Sequence, residues 1–343
     1  LPIDGIALVV LYFFLKVEIK TIPLVEGIRT LDWVGFLLVI GGTISFLYGL
    51  EVGSSGMSPW GSAKVICLIV FGFLLLAGFM VWEANFTKYP VVPFRIFKQR
   101  TNIAAYLVAC LHGFVFISFD FFLPLYFQVV LGLKPLISGV TLFALILPLA
   151  ASTMGGGAVT RKTGNYKILI VGGSLLMCLG CGLFILFEPR RNWPKIILLQ
   201  VVAGLGAGTM FQSPMIALQS YLRQKDTAAA MAAFSFLRTL FTSMSQVIGT
   251  VLMQRTLGSS STSLVPGGSN GAIDKNKYVE ALHIMWAFYT AVAGLIIICS
   301  FFIKQRPKTE QPATTPPNGG LEEAKRDAQS PEELVGSEND VKP

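Results

Sequence analysis

Residues Thr160–Phe187 read TRKTGNYKILIVGGSLLMCLGCGLFILF, and the boundary inside that stretch decides the fold. An α-helix needs about 20 apolar residues to cross a hydrocarbon core of roughly 30 Å. Ile168–Phe187 supplies that length without a charged side chain. Arg161, Lys162 and Lys167 stop at its edge, where water and headgroups reach them. The stretch reads as a membrane span with a basic flank. Cys178 and Cys181 have metal-ligand or redox spacing, but they sit in mid-span with no His or second Cys pair beside them. They read as small packing residues.

Extended backwards, the flank becomes GGGAVTRKTGNYK (Gly155–Lys167). A phosphate-binding loop needs a preceding strand and G-x-x-x-x-G-K-[ST] spacing, and neither is present. A turn between two spans fits, with glycine permitting the positive φ that a tight connection requires.

The same alternation runs through the chain. Of 343 residues, 53% are hydrophobic and 13% charged, and 26 are Phe. A soluble globule carries more surface charge than that. The expected class is an all-α polytopic membrane protein. The formal charge of +8 lies at the ends of apolar runs rather than in a basic stripe with interleaved aromatics. That placement suits anionic headgroups and argues against nucleic acid. The five cysteines (Cys67, Cys110, Cys178, Cys181 and Cys299) all lie in apolar runs. With no Ser/His/Asp set, nucleotide loop or metal cluster legible, an enzyme is not expected, nor a catalytic residue, metal or cofactor.

Nine apolar segments can be delimited: a partial one at Leu1–Leu15, then Trp33–Val52, Lys64–Trp82, Ile103–Val129, Leu136–Met154, Ile168–Phe187, Ile196–Leu218, Ala228–Thr256 and Ala281–Ile303. The first lacks an initiator Met and a basic n-region, so it reads as the end of a truncated span in a fragment. Every second connection is basic, through Lys16, Lys20 and Arg29; Arg95, Lys98 and Arg100; Arg161, Lys162 and Lys167; Arg223 and Lys225; and Lys304, Arg306 and Lys308. The positive-inside rule puts these connections and the C-terminus in the cytoplasm. FEPRRNWPK (Phe187–Lys195) breaks the rule, and the sequon at Asn85 falls on the cytoplasmic side.

The expected division is 1–16, the end of a truncated helix; 17–31, a cytoplasmic loop; 32–82, a helix pair; 83–100, a cytoplasmic linker; 101–303, a six-helix bundle; and 304–343, a disordered cytoplasmic tail. Gly258–Lys277 reads as a polar external loop.

Spacing then carries a resemblance. Gly157, Val159, Lys162, Gly164 and Lys167 resemble the G-x-L-x-D-r-x-G-r-[KR]-[KR] loop of the major facilitator superfamily. Arg161 stands where that loop has Asp, so the resemblance does not extend to the acid-dependent interlock of the motif. LPIDGIALVVL (Leu1–Leu11), FFLPLYFQVVLGLKPLISGV (Phe121–Val140), GLGAGTMFQSP (Gly204–Pro214) and FSFLRT (Phe234–Thr239) look like segments of fungal fourteen-span drug:proton antiporters. That family has six spans, an inserted pair and six more. The resemblance implies the inserted pair plus a complete second half, with the first five spans missing. On that basis this chain alone is not expected to transport.

Charged groups at mid-membrane usually face a cavity or a partner. Arg238 lies about ten residues, or roughly 15 Å, into its span. Ser235, Arg238, Thr242, Ser245 and Gly249 follow three- and four-residue steps on one face. That face either lines a transport path, where Arg238 tunes a proton site or an anionic substrate, or makes structural bonds between helices. Gln200, Gly204, Gly208 and Gln212 form a second ridge. Gly204, Gly206 and Gly208 suit close helix packing, and Gln212 beside Pro214 suits a substrate contact at a broken turn. Asp120 is the one acid well inside an apolar run, and it is either a proton site or a boundary acid. Asp32, Glu51 and Glu83 mark interfaces, and His112 is either a shuttle or packing.

The resemblance implies a secondary transporter that exports small amphiphilic compounds in exchange for protons, by alternating access. A proton-coupled carrier of a siderophore or basic amino acid is the alternative. A receptor or channel would show a pore-lining polar ring or a folded tail, and neither is legible. The implied partners are the lipid bilayer, a small-molecule substrate and protons, with a monomer in the plasma membrane or the vacuolar membrane.

Overall fold

The computed structural model describes residues 32–54, 57–85, 99–222, 224–257 and 275–305, together with 4, 5 and 10. Most of the expected partial span at Leu1–Leu15, the 86–98 part of the linker, the 258–274 part of the external loop and the tail beyond 305 lie outside these residues.

Eight of the described helices are long and apolar enough to cross a membrane. They are α1 (Trp33–Ser54), α2 (Ala63–Asn85), α3 (Arg100–Leu125), α4 (Pro135–Thr163), α5 (Tyr166–Leu183), α6 (Trp193–Gln219), α7 (Gln224–Leu257) and α8 (Lys275–Phe301). Local chemistry sets their ends. Pro135 opens α4 at a position whose N–H has no helical partner. Asn165 and Asn192 cap α5 and α6 by accepting from the amides of Ile168 and Lys195. Pro124 cannot donate to the carbonyl of Asp120, and the helix continues as a π-helical turn over Tyr126–Val130.

The basic stretch that opened the sequence reading is mostly helix. α4 runs through Gly155, Gly156 and Gly157 to Thr163, so the expected long loop shrinks to Gly164 and Asn165. Gly164 takes φ 70°, the left-handed cap that ends a helix. Arg161 and Lys162 occupy the last turn, where they complement the helix dipole. Three glycines do not break a helix whose neighbours in lipid offer their backbone no better partner.

α6 packs against α4, α5 and α3, while α7 packs on α3 and α8. α1 and α2 form a hairpin that meets the bundle at α7, where Gln254 donates to the carbonyl of Ser54. A Cβ on Gly204 or Gly208 would collide with carbonyls of α4, and one on Gly206 with the backbone of Met177 in α5. These glycines let three helices approach backbone to backbone.

Hydrogen bonds tie the connections together at both ends of the bundle. At one end Tyr166 and Tyr221 donate to the carbonyl of Lys304, whose amide reaches Thr101. Gln305 accepts from the Lys167 amide and donates to the carbonyl of Gly164. Lys304 and Gln305, expected in the tail, thus pack on the bundle, because the tyrosine hydroxyls and the α4–α5 turn supply partners for their polar groups.

At the other end Tyr126 donates to the Glu188 carbonyl at 2.7 Å, and His283 to that of Phe187 at 2.8 Å. Arg191 donates to the Leu131 carbonyl at 2.8 Å, and Lys195 pairs with Glu188 at 2.7 Å. Two of the cations that break the charge rule in FEPRRNWPK therefore serve this end of the fold directly.

Glu83 is buried, because α2 continues to Asn85 and the heptad of Val65, Gly72 and Phe79 carries Glu83 on its buried face. Asp32 caps α1 through the Gly35 amide and accepts the Trp82 indole N–H at 3.0 Å.

Candidate functional site

α6 and α7 make little contact with each other and leave a cleft of about 570 Å³ between them. Phe211, Gln212, Met215 and Ile216 line it from α6; Met231, Phe234, Ser235, Arg238, Thr239 and Thr242 line it from α7. The sequence singles out Gln212, Arg238, Ser235 and Thr242 on two separate helices. The fold brings these four together.

Arg238 sits against α3 at Gly113, where a Cβ would lie 2.9 Å from its Cγ and 3.1 Å from the Thr242 Cγ2. Gly113 is thus the recess that admits the arginine stem. The guanidinium carbon stands 4.5 Å from the centre of the Phe211 ring. Such a contact stabilises a partly desolvated cation by about 0.5–2 kcal/mol. Phe116 and His112 meet the same ring edge-on at 6.0 and 6.1 Å. His112 is buried, stacks on Phe116 and donates from Nε2 to the Ala207 carbonyl at 3.0 Å. Of its two readings, the packing one describes this geometry: it fixes α3 to α6 and steadies Phe211.

The hydroxyls on α7 are turned inward on their own helix. Thr239 donates to the Ser235 carbonyl at 2.8 Å, and Thr242 to the Thr239 carbonyl at 2.7 Å. Their lone pairs remain to accept from a guest. The expected polar face of α7 divides here. Ser245 turns away from the cleft to the Phe114 carbonyl and Tyr289, and Gly249 packs on Phe122 and Tyr289.

Two candidates lie elsewhere. Gln200 is buried three turns from Gln212 on α6 and donates to the Ile196 carbonyl at 3.2 Å. Asp120 is exposed, about two turns from Gly113 on the same face of α3, and makes no ion pair with Arg238. In the loop motif, Gly157 faces Gln212, whose Oε1 lies 3.7 Å from where a glycine Cβ would stand. Arg161 and Lys162 end α4, Gly164 turns the chain, and the Lys167 amide is held by Gln305. Pro214 lies inside α6 and is buried. Cys178 and Cys181 are free thiols facing the carbonyls of Thr290 and Trp286, and no group of metal-ligating residues occurs among the described residues.

Sequence reasoning missed Phe211, Met215, Met231 and Thr239 as lining, and Gly113 as the seat of Arg238. A phenylalanine among 26 carries no local mark, and a glycine recess appears only when the opposing helix is in place.

Apolar helices joined by short polar turns, packed through glycines around an inter-helix cleft, define an integral multi-pass membrane protein of the major facilitator fold. The chain belongs to the Major Facilitator Superfamily, whose profile matches residues 6–246. It is 38% identical to the efflux pump dotC of Dothistroma septosporum, over 95% of this chain and 60% of that protein. It is 35% identical to the MFS-type transporter ppz2 of Metarhizium majus, over 89% of this chain and 57% of the relative. The MFS-type transporter gkaD of Penicillium citrinum is 32% identical, over 89% and 56%. The chain spans about 60% or less of the length of these curated relatives. Their names are those of transporters and efflux pumps, not enzymes.

Proposed function

We propose that the protein is part of a proton-coupled secondary transporter that exports small amphiphilic compounds by alternating access. The observation that carries this reading is the α6–α7 cleft, where aromatic and thioether side chains share one cavity with Gln212, Arg238 and Thr242. Such a lining holds an apolar body and orients one polar end. The relatives named as an efflux pump and as transporters support the class. Asp120, exposed on the face of α3 that also carries Gly113, is the proton-site candidate. The alternative cargo of a basic amino acid fits poorly, since among the described residues the one charged side chain lining the cleft is a cation.

Cells expressing the native gene should accumulate less of a fluorescent hydrophobic compound than cells without it, and an uncoupler should abolish the difference. Efflux that persists unchanged after the gradient collapses rules out proton coupling. The basic end of the bundle is assigned to the cytoplasm, and a glycan on Asn85 would reverse that assignment.

A further inference from the structure

We propose that the α6–α7 cleft selects amphiphilic organic anions. The acidic group of the guest pairs with Arg238, while its aromatic body lies along Phe211 and the thioethers of Met215 and Met231. This rests on reading the cleft as a substrate site.

Among the described residues the cleft holds one charged side chain, Arg238, and no carboxylate pairs with it. Asp120, the acid on the same stripe of α3, stands about two turns away from Gly113. A cation in such surroundings has lost water without gaining a counter-ion, so an arriving anion recovers what desolvation cost. Arg238 stands over the Phe211 ring with its stem in the Gly113 recess, and the fork of a guanidinium matches a carboxylate or phenolate. A cationic guest would meet a like charge at low dielectric and is disfavoured.

The hydroxyls sharpen the chemistry. Thr239 and Thr242 spend their hydrogens on carbonyls of α7, so each presents only lone pairs to the cleft. Acceptors beside a guanidinium suit a guest that carries hydroxyl donors near its acidic group. The geometry therefore describes hydroxylated aromatic acids and phenols as preferred cargo.

The test is binding of three matched fluorescent probes to the full chain in nanodiscs of neutral lipid: 1-pyrenebutyrate, its amide and 1-pyrenemethylammonium. Charge-assisted bonding predicts about tenfold tighter binding of the butyrate than of the amide, with the ammonium weakest. Arg238→Gln should bring the butyrate and the amide to within about twofold of each other, whereas Arg238→Lys should keep the order. Parity of the three probes on the unaltered protein overturns the proposal, and that result needs no variant to fold. An unchanged ratio in an Arg238→Gln protein with native melting overturns it as well. Flux of the same probes is read separately, in cells expressing the native gene. Anion-selective binding without flux supports the ligand chemistry and removes the transporter reading; flux without charge selectivity removes this proposal alone.

Discussion

Arg238 on α7 holds its guanidinium carbon 4.5 Å from the centre of the Phe211 ring on α6, across a cleft where the two helices otherwise make little contact. Phe211→Leu should therefore cost the lost cation–π contact and part of the ring packing, about 1–2 kcal/mol. A lower thermal midpoint in detergent, together with weaker binding of aromatic guests, is the expected outcome. An unchanged midpoint would mean that the ring and the cation are neighbours without energetic coupling.

Glycines of similar local sequence should differ sharply in tolerance. A Cβ on Gly206 meets the backbone of Met177, whereas one on Gly172 meets nothing within 4 Å. Gly206→Ala should destabilise by about 1–3 kcal/mol or block assembly, while Gly172→Ala should gain up to about 1 kcal/mol from helix propensity. Thermal melts of the two purified variants check the contrast.

Gln305→Ala removes both bonds that close the α4–α5 turn, the one accepted from the Lys167 amide and the one donated to the Gly164 carbonyl. Each bond contributes about 1 kcal/mol. Hydrogen exchange at the Lys167 amide should speed up about tenfold, with exchange in the middle of α6 unchanged. Protection at Lys167 equal to that of the unaltered protein would show that Tyr166 and Lys304 hold this end without it.

Asp120→Asn should leave folding intact, because the side chain is exposed. If Asp120 is the proton site, the variant should flatten the pH dependence of efflux in cells. A pH profile identical to that of the unaltered protein returns Asp120 to the role of a boundary acid.

Lys195 donates to Glu188 and holds its carboxyl below the ordinary value of 4.5. A folded-state value depressed in this way stabilises the protein above the unfolded value, and the contribution disappears as pH falls through the folded one. The pair is exposed and screened, so the effect on melting should be slight. A scan from neutral to acidic pH should show a small loss in the unaltered protein that Glu188→Gln lacks. Identical acid sensitivity in the two would remove the ion pair from the account.

Much of the fold is legible in the sequence because lipid makes its demands locally. A span must be about 20 residues of apolar side chain with its backbone bonded internally. Eight of the nine delimited segments appear as helices among the described residues, most within a few residues of their expected bounds. The ends of α2, α4 and α7 and the start of α8, at Lys275 instead of Ala281, are where the reading fell short. Glu83, the run Gly155–Gly157 and Gln224 look like breaks by composition, yet each lies in a helix.

The site was legible only in pieces. Arg238, Gln212 and Thr242 stand out as polar groups in apolar runs, which is a one-dimensional signal. Nothing in one dimension shows that Gln212 and Arg238 face one cavity while Gln200 is buried three turns away, or that Ser245 turns from the cleft to Tyr289.

By itself the sequence determined the class, the spans, the alternation of basic ends and the family resemblance, because hydropathy and charge act on each segment alone. The tertiary structure decided which polar groups share a space, and that depends on how closely helices approach. Gly206 lets α6 meet α5, and Gly113 gives Arg238 room beside α3. Close packing makes those approaches specific, and they place the Arg238 guanidinium over the Phe211 ring in a cleft that is otherwise uncharged among the described residues.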